Sequence, residues 1–196
     1  MLKTFYRAIS FSLFMYFLVG ICYPYATYFL GLNLFPKQSK GSLIFQNGIP
    51  VGSELIGQNF SQAKYFWGRP SAAGEKGYDA TSSGASNLAT TNKDLIDRIE
   101  KSIQEFLRQN PSIKREEIPT DLVTASASGL DPEISIQSAK IQIPRIAKAR
   151  NISENNLNLL VDKLTQNPTL SFIGTERVNV LLLNIELDKE TSKLKN

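Results

Sequence analysis

The chain contains no histidine. That excludes a Ser-His-Asp or Cys-His relay, a histidine-ligated zinc site and any histidine proton shuttle. It contains one cysteine, Cys22, inside an apolar run. Neither an intramolecular disulfide nor a multi-cysteine metal site is therefore available. No Walker A string occurs, so the strongest nucleotide signature is missing. No internal repeat is visible. Charge of one sign is also scarce: 22 Lys and Arg stand against 18 Asp and Glu, a net charge of +4. The cations are spread along the chain and form no basic patch interleaved with aromatics, so nucleic acid is not an expected partner.

What the chain does have is apolar residues, 42% of 196. Many fall in one run, "AISFSLFMYFLVGICYPYATYFLGLNLFP", which carries no charge from Ala8 to Pro36. A helix needs about 20 such residues to span a bilayer core. Phe11, Phe14, Phe17 and Val19 supply lipid-facing bulk, Pro24 predicts a kink, and Tyr23, Tyr25 and Tyr28 sit where an aromatic belt belongs. The run is too long for a signal-peptide core and lacks a small-residue cleavage pattern. A retained single-pass anchor over 8–36 is expected, after a short tail over 1–7 and before one soluble domain over 37–196. Lys3 and Arg7 precede the span and Lys37 and Lys40 follow it, so charge bias is nearly balanced. The short tail favours an extracytoplasmic domain.

The soluble part reads as a single mixed α/β domain, with α+β open as the alternative. Asn47-Gly48 between apolar runs predicts a hairpin. The stretch from Ser61 to Asn92 is rich in Gly, Ser and Ala and predicts a long irregular loop. Leu95, Ile99, Ile103, Phe106 and Leu107 form the apolar stripe of a helix over 91–109, opened by Thr91 and Asp94 as a capping-box-like pair. "DLVTA", residues 121–125, is expected as a short strand. Asp131-Pro132 is expected as an N-cap with proline in the first helical position. Ile136, Ala139, Ile143, Ile146 and Ala147 follow at helical spacing, interrupted by Pro144, and a further helix starts near Ser153. "RVNVLLLNIEL", residues 177–187, is expected as a buried strand, followed by a frayed polar tail.

Few residues point to chemistry. Ser61 and Lys64 match S-x-x-K, which raises a membrane-anchored Ser/Lys hydrolase as an alternative function. Asp79, Asp121, Asp131 and Glu133 are acid/base candidates by position near loops. Arg69 in "WGRPS" either clamps a carboxylate or phosphate or satisfies loop carbonyls. "SGASN", with Ser83 and Asn87, and "SASGLDP" offer backbone amides to an anion, or are simply turns and helix caps. No metal site is expected.

Several loop strings carry a resemblance. "YFWGRPSAA", "GYDATSSGASNLATTN", "IPTDLVTASASGLDPEIS", "QIPRIAKARN" and "VNVLLLNIEL" occur in that order after an N-terminal span. Over nearly its full length the chain resembles the C subunit (KdpC) family of the bacterial Kdp potassium-transporting P-type ATPase. Ala85 stands where the family often has a second glycine, and Glu133 where many members have histidine.

The resemblance implies a non-catalytic accessory subunit of an ATP-driven potassium uptake complex in the bacterial plasma membrane. Its implied partners are a channel-like potassium-binding subunit, a P-type ATP-hydrolysing subunit and a small membrane peptide. It implies a role in assembly and as a catalytic chaperone that raises the ATP affinity of the hydrolysing subunit. No cofactor of its own is implied, with ATP reached through that subunit. A direct nucleotide contact would fall on Gln142, whereas an exported domain cannot touch cytoplasmic ATP. The residues expected to face a partner or ligand are Arg69, Ser83, Asn87, Asp131, Gln142 and Arg145.

Overall fold

A computed structural model describes residues 1–168 and 173–193. The chain divides into two compact units, Met1–Val51 and Gly52–Asn196. The first begins with helices α1 (Leu2–Phe17) and α2 (Tyr23–Leu34), joined by one π-type turn over Leu18–Cys22. Together they make a continuous helix of 33 residues, long and apolar enough to cross a membrane. Phe11, Phe14, Phe17, Val19, Pro24 and Tyr28 all lie on it. Pro24 has no N–H and its ring crowds the carbonyl one turn back. The wide turn stands just ahead of it, where the Tyr23 N–H reaches the Leu18 carbonyl, so the helix takes up the proline through a locally wider turn.

A helical turn, α3 (Pro36–Ser39), leads into a two-stranded hairpin of β1 (Leu43–Gln46) and β2 (Ile49–Ser53). Asn47 and Gly48 both take positive φ, 51° and 79°, as the expected two-residue turn requires.

The second unit is a mixed helix and small-sheet domain. A long loop runs to α4 (Lys93–Gln109). The predicted stripe of α4 holds: Ile103 and Phe106 are buried, with Ile99 and Leu107 packed beside them. Its cap is Asn92, whose Oδ1 accepts the Asp94 N–H at 2.8 Å, rather than Thr91. Strand β3 (Glu133–Ser135) pairs antiparallel with β4 (Arg177–Asn179), Ile134 opposite Val178. Helices α5 (Ile136–Lys140), α6 (Ile143–Arg150), α7 (Glu154–Leu164) and α8 (Val180–Lys193) complete the domain. Pro144 falls in the first turn of α6 and separates it from α5, and Ser153 caps α7. One apolar core joins Ile134, Ile143, Ile146, Leu157, Val161, Leu183 and Leu187.

Three expectations are corrected. "DLVTA" is not a strand: Thr120–Leu122 is a single 3₁₀ turn, and Asp121 spends its carboxylate on the Ser135 N–H (2.7 Å) and the Ser138 hydroxyl (2.6 Å). Asp131-Pro132 does not open a helix. Asp131 Oδ1 accepts the Glu133 N–H at 3.0 Å, the chain extends as β3, and Ser135 is the true cap of α5. Finally, "RVNVLLLNIEL" is a strand only at its first three residues. Asn179 Oδ1 accepts the Leu182 N–H at 3.1 Å and starts α8, whose buried Val180, Leu183 and Leu187 recur at helical spacing. The polar tail is helical to Lys193, and 194–196 lie outside the described residues.

Candidate functional site

The long loop between β2 and α4 has no strand of its own, yet its backbone is paired. Phe66 is clamped by Asn184 on α8: Oδ1 accepts the Phe66 N–H and Nδ2 donates to the Phe66 carbonyl, both at 2.9 Å. Trp67 is clamped by Gln142 in the same way. The Trp67 N–H donates to Oε1 at 2.8 Å and Nε2 donates to the Trp67 carbonyl at 3.1 Å. Two side-chain amides thus stand in for a neighbouring strand.

Gln142 is fully buried, and its remaining capacity is used by the Ser138 carbonyl (3.0 Å) and Arg145 Nη2 (2.7 Å). Arg145, also buried, donates Nε to Asn110 Oδ1 at 3.0 Å and Nη1 to the Ala63 and Tyr65 carbonyls at 2.6 and 3.0 Å. Its guanidinium lies 4.3 Å from the centre of the Trp67 ring. Burial pushes Arg145 down to about 10. A buried cation held by neutral acceptors and an aromatic face is costly unless every donor is used. Here all three nitrogens are engaged.

One turn further along α6, Arg150 repeats the device. It stacks on Tyr65 at 4.8 Å, donates to the Lys64 carbonyl at 2.7 Å and pairs with Asp188 at 2.7 Å. The Tyr65 hydroxyl donates to Asp188 at 3.0 Å, and burial with that carboxylate raises its pKa.

A second cluster gathers around the turn at 126–131. Arg69 Nη1 donates to Asp131 Oδ2 at 2.9 Å. The Ser71 hydroxyl donates to the Gly129 carbonyl and accepts the Tyr78 N–H at 2.7 Å. Tyr78 donates its hydroxyl to the Arg69 carbonyl, and burial pushes that phenol up to about 12. The Gly84 N–H and the Ser83 hydroxyl both donate to the Ser128 carbonyl, at 2.9 and 3.0 Å. Gly129 has φ 68°, and a Cβ there would meet the Gly84 carbonyl oxygen at 2.7 Å and the Ala73 nitrogen at 2.8 Å. Only glycine lets these three segments cross.

The predicted site residues therefore fall into two structural groups. Gln142 and Arg145 meet in the first, and Arg69, Ser83 and Asp131 in the second. Asn87 is exposed in a left-handed conformation and joins neither. Of the acid/base candidates, Glu133 pairs with Arg177 at 2.7 Å, and Asp79 is held low by the hydroxyl and amide of Thr81. Ser61 and Lys64 are both exposed, and the Lys64 ammonium lies 5.1 Å from the Tyr65 ring centre. A lysine base needs the opposite, a desolvated pocket beside its serine. Among the described residues no cluster of three Cys, Asp or Glu is placed to hold a metal.

The sequence signature of the family described as "KdpC: K+-transporting ATPase, c chain" matches residues 5–189. The chain belongs to the KdpC family. It is similar to the potassium-transporting ATPase KdpC subunit of Caldanaerobacter subterraneus subsp. tengcongensis, 48% identical over 189 residues and 96% of both chains. The KdpC subunit of Clostridioides difficile is 44% identical over 203 residues, covering 96% of this chain and 98% of its own. That of Rhodopseudomonas palustris is 45% identical over 199 residues, covering 96% and 98%. The chain is thus a subunit of the K⁺-transporting ATPase complex, with one candidate membrane helix.

In this KdpC chain Asn184, Asn110, Ser71 and Tyr78 also organise the loop, and the local sequence gives Asn110, Ser71 and Tyr78 no mark. Asn184 carried a signal: it is the one amide inside the apolar "VLLLNIEL", where a buried polar group needs a partner.

Proposed function

We propose that this subunit is a non-catalytic, architectural member of the complex. It is anchored by its single helix, its domain stands outside the cytoplasm, and it is required for assembly with the channel-like potassium-binding subunit, the ATP-hydrolysing subunit and the small membrane peptide. In this reading it raises the ATP affinity of the hydrolysing subunit by stabilising one conformation of the assembly, without touching the nucleotide. The observation that carries the reading is Gln142. Its amide is fully buried with every donor and acceptor occupied. Contact with a nucleotide would have to break the loop that it holds. An affinity effect without contact requires a differential interaction with two states of the complex.

Equilibrium ATP binding to the full-length chain in lipid, with a topology reporter fused after residue 196, tests this. The expected results are no saturable binding and a reporter active only on the extracytoplasmic side. Saturable binding abolished by Gln142→Ala, with a cytoplasmic reporter, overturns it.

A further inference from the structure

The second unit holds a cavity of about 430 Å³ between α4 and the loop that Gln142 and Asn184 clamp. Sites for one small molecule run from about 300 to 1,000 Å³. Its apolar wall is made of Phe60, Trp67, Pro70, Tyr78, Phe106 and Leu122. Phe106 and Leu122 are buried members of the α4 core, and the Trp67 and Phe106 rings meet edge to face at 6.5 Å. Trp67 is fixed twice, its backbone by the Gln142 amide and its ring by the Arg145 guanidinium. The wall therefore stands ready before any ligand arrives.

Helix α4 supplies the charge. Arg98 and Lys101 line the cavity three residues apart, on one face of the helix. Both are exposed, and among the described residues neither forms an ion pair. The one acidic lining residue, Glu105, is already committed: Arg108 donates to both of its oxygens, at 3.0 and 2.7 Å. An aromatic interior thus stands beside two uncompensated cations. Gly68 is the only glycine in the lining, so the cavity has no glycine-rich loop of the kind that cradles a polyphosphate.

We infer that this cavity binds a small organic carboxylate, with one aromatic group seated against Trp67 and Phe106 and its anion met by Arg98 and Lys101. Burial of the aromatic group supplies most of the affinity. The exposed cations add a smaller share and select the anion over a neutral molecule of the same shape. The inference goes beyond the architectural role proposed above and does not depend on it.

Trp67 is the chain's single tryptophan, so the cavity carries its own reporter. The full chain, labelled with fluorotryptophan and placed in nanodiscs, is titrated with naphthylacetate and followed by fluorine NMR. Naphthylacetamide, sulfate and ATP serve as comparisons at equal free concentrations. The expected result is a saturable shift of the one resonance with naphthylacetate and none with sulfate or ATP. Binding is expected to be about fivefold weaker for the amide, and about fivefold weaker for naphthylacetate on the Arg98→Gln, Lys101→Gln double variant. Exchanging the two cations, Arg98→Lys with Lys101→Arg, is expected to keep the parent's affinity. No saturable shift, equal affinity for acid and amide, or equal affinity in parent and double variant overturns the inference. A saturable shift with ATP makes the cavity a nucleotide site and overturns it too. The whole complex is tested by thiol alkylation of Ser102→Cys in a Cys22→Ser background, read by mass spectrometry of that peptide. Alkylation that proceeds in the complex and is slowed by naphthylacetate is expected. A thiol reactive in the chain alone and blocked on assembly makes a partner segment the occupant and overturns the inference.

Discussion

Asn184 and Gln142 hold consecutive residues of one loop with the same two-bond grip. Asn184 takes the N–H and carbonyl of Phe66, and Gln142 takes those of Trp67. The first lies 118 residues from its partner and the second 75. Removing either leaves buried backbone groups unsatisfied.

Gln142→Leu is accordingly expected to destabilise the domain by about 3 kcal/mol, and Asn184→Leu by about 2 kcal/mol. Gln142 costs more because Arg145 also loses an acceptor. Urea unfolding of the full-length chain in detergent measures both. Faster proteolysis within 61–68 is expected well below the unfolding midpoint, and equal nicking of both variants and the parent argues against the clamp.

Tyr78 makes stability depend on alkaline pH. Its phenol is raised from 10.0 to about 12 by burial. The folded state therefore keeps the proton where the unfolded chain has lost it. This contribution is fully present below pH 10 and is lost between pH 10 and about 12, worth about 2–3 kcal/mol. Arg145, lowered by burial, acts in the opposite sense over that range. The comparison that isolates the tyrosine is Tyr78→Phe against the parent. The difference in their unfolding free energies is expected to shrink as pH rises from 10 to 12.

Gly129 and Gly41 separate backbone strain from collision. Both have positive φ, 68° and 77°, but a Cβ at Gly41 meets nothing within 4 Å. Gly41→Ala is expected to cost about 1 kcal/mol through backbone conformation alone. Gly129→Ala is expected to cost about 3 kcal/mol, because the loops carrying Ala73 and Gly84 must also move apart. Thermal unfolding of the two variants checks the order.

The Arg69–Asp131 pair is half-buried, with side chains 25% and 28% exposed. A double-mutant cycle of Arg69→Gln and Asp131→Asn is expected to return a coupling of about 1 kcal/mol, weakening modestly in high salt. A coupling near zero removes the pair as a loop lock.

The helical parts of this fold were legible because their apolar spacing is local. The stripe of α4, the break at Pro144 and the cap at Ser153 all follow from neighbours within one or two turns. The membrane helix was legible from length and charge. The two misplaced strands share one cause, which is that short apolar runs carry little period. "RVNVLLLNIEL" reads equally well as a buried strand until Asn179 is seen to cap a helix. The loop clusters were legible as residue names and not as contacts. Gln142, Arg145 and Arg69 stand out in the sequence as site residues, yet nothing local announces that they bind backbone far away in sequence.

Those distant grips also set an order of events in the making of the chain. Residues 63–67 leave the ribosome early, and the groups that hold them come much later, Gln142 at the N-cap of α6, Arg145 on α6 and Asn184 on α8. No neighbouring strand can hold the segment in the meantime. The loop stays open until α8 has emerged, so the surface it carries matures only then, and a subunit truncated before α8 cannot present it.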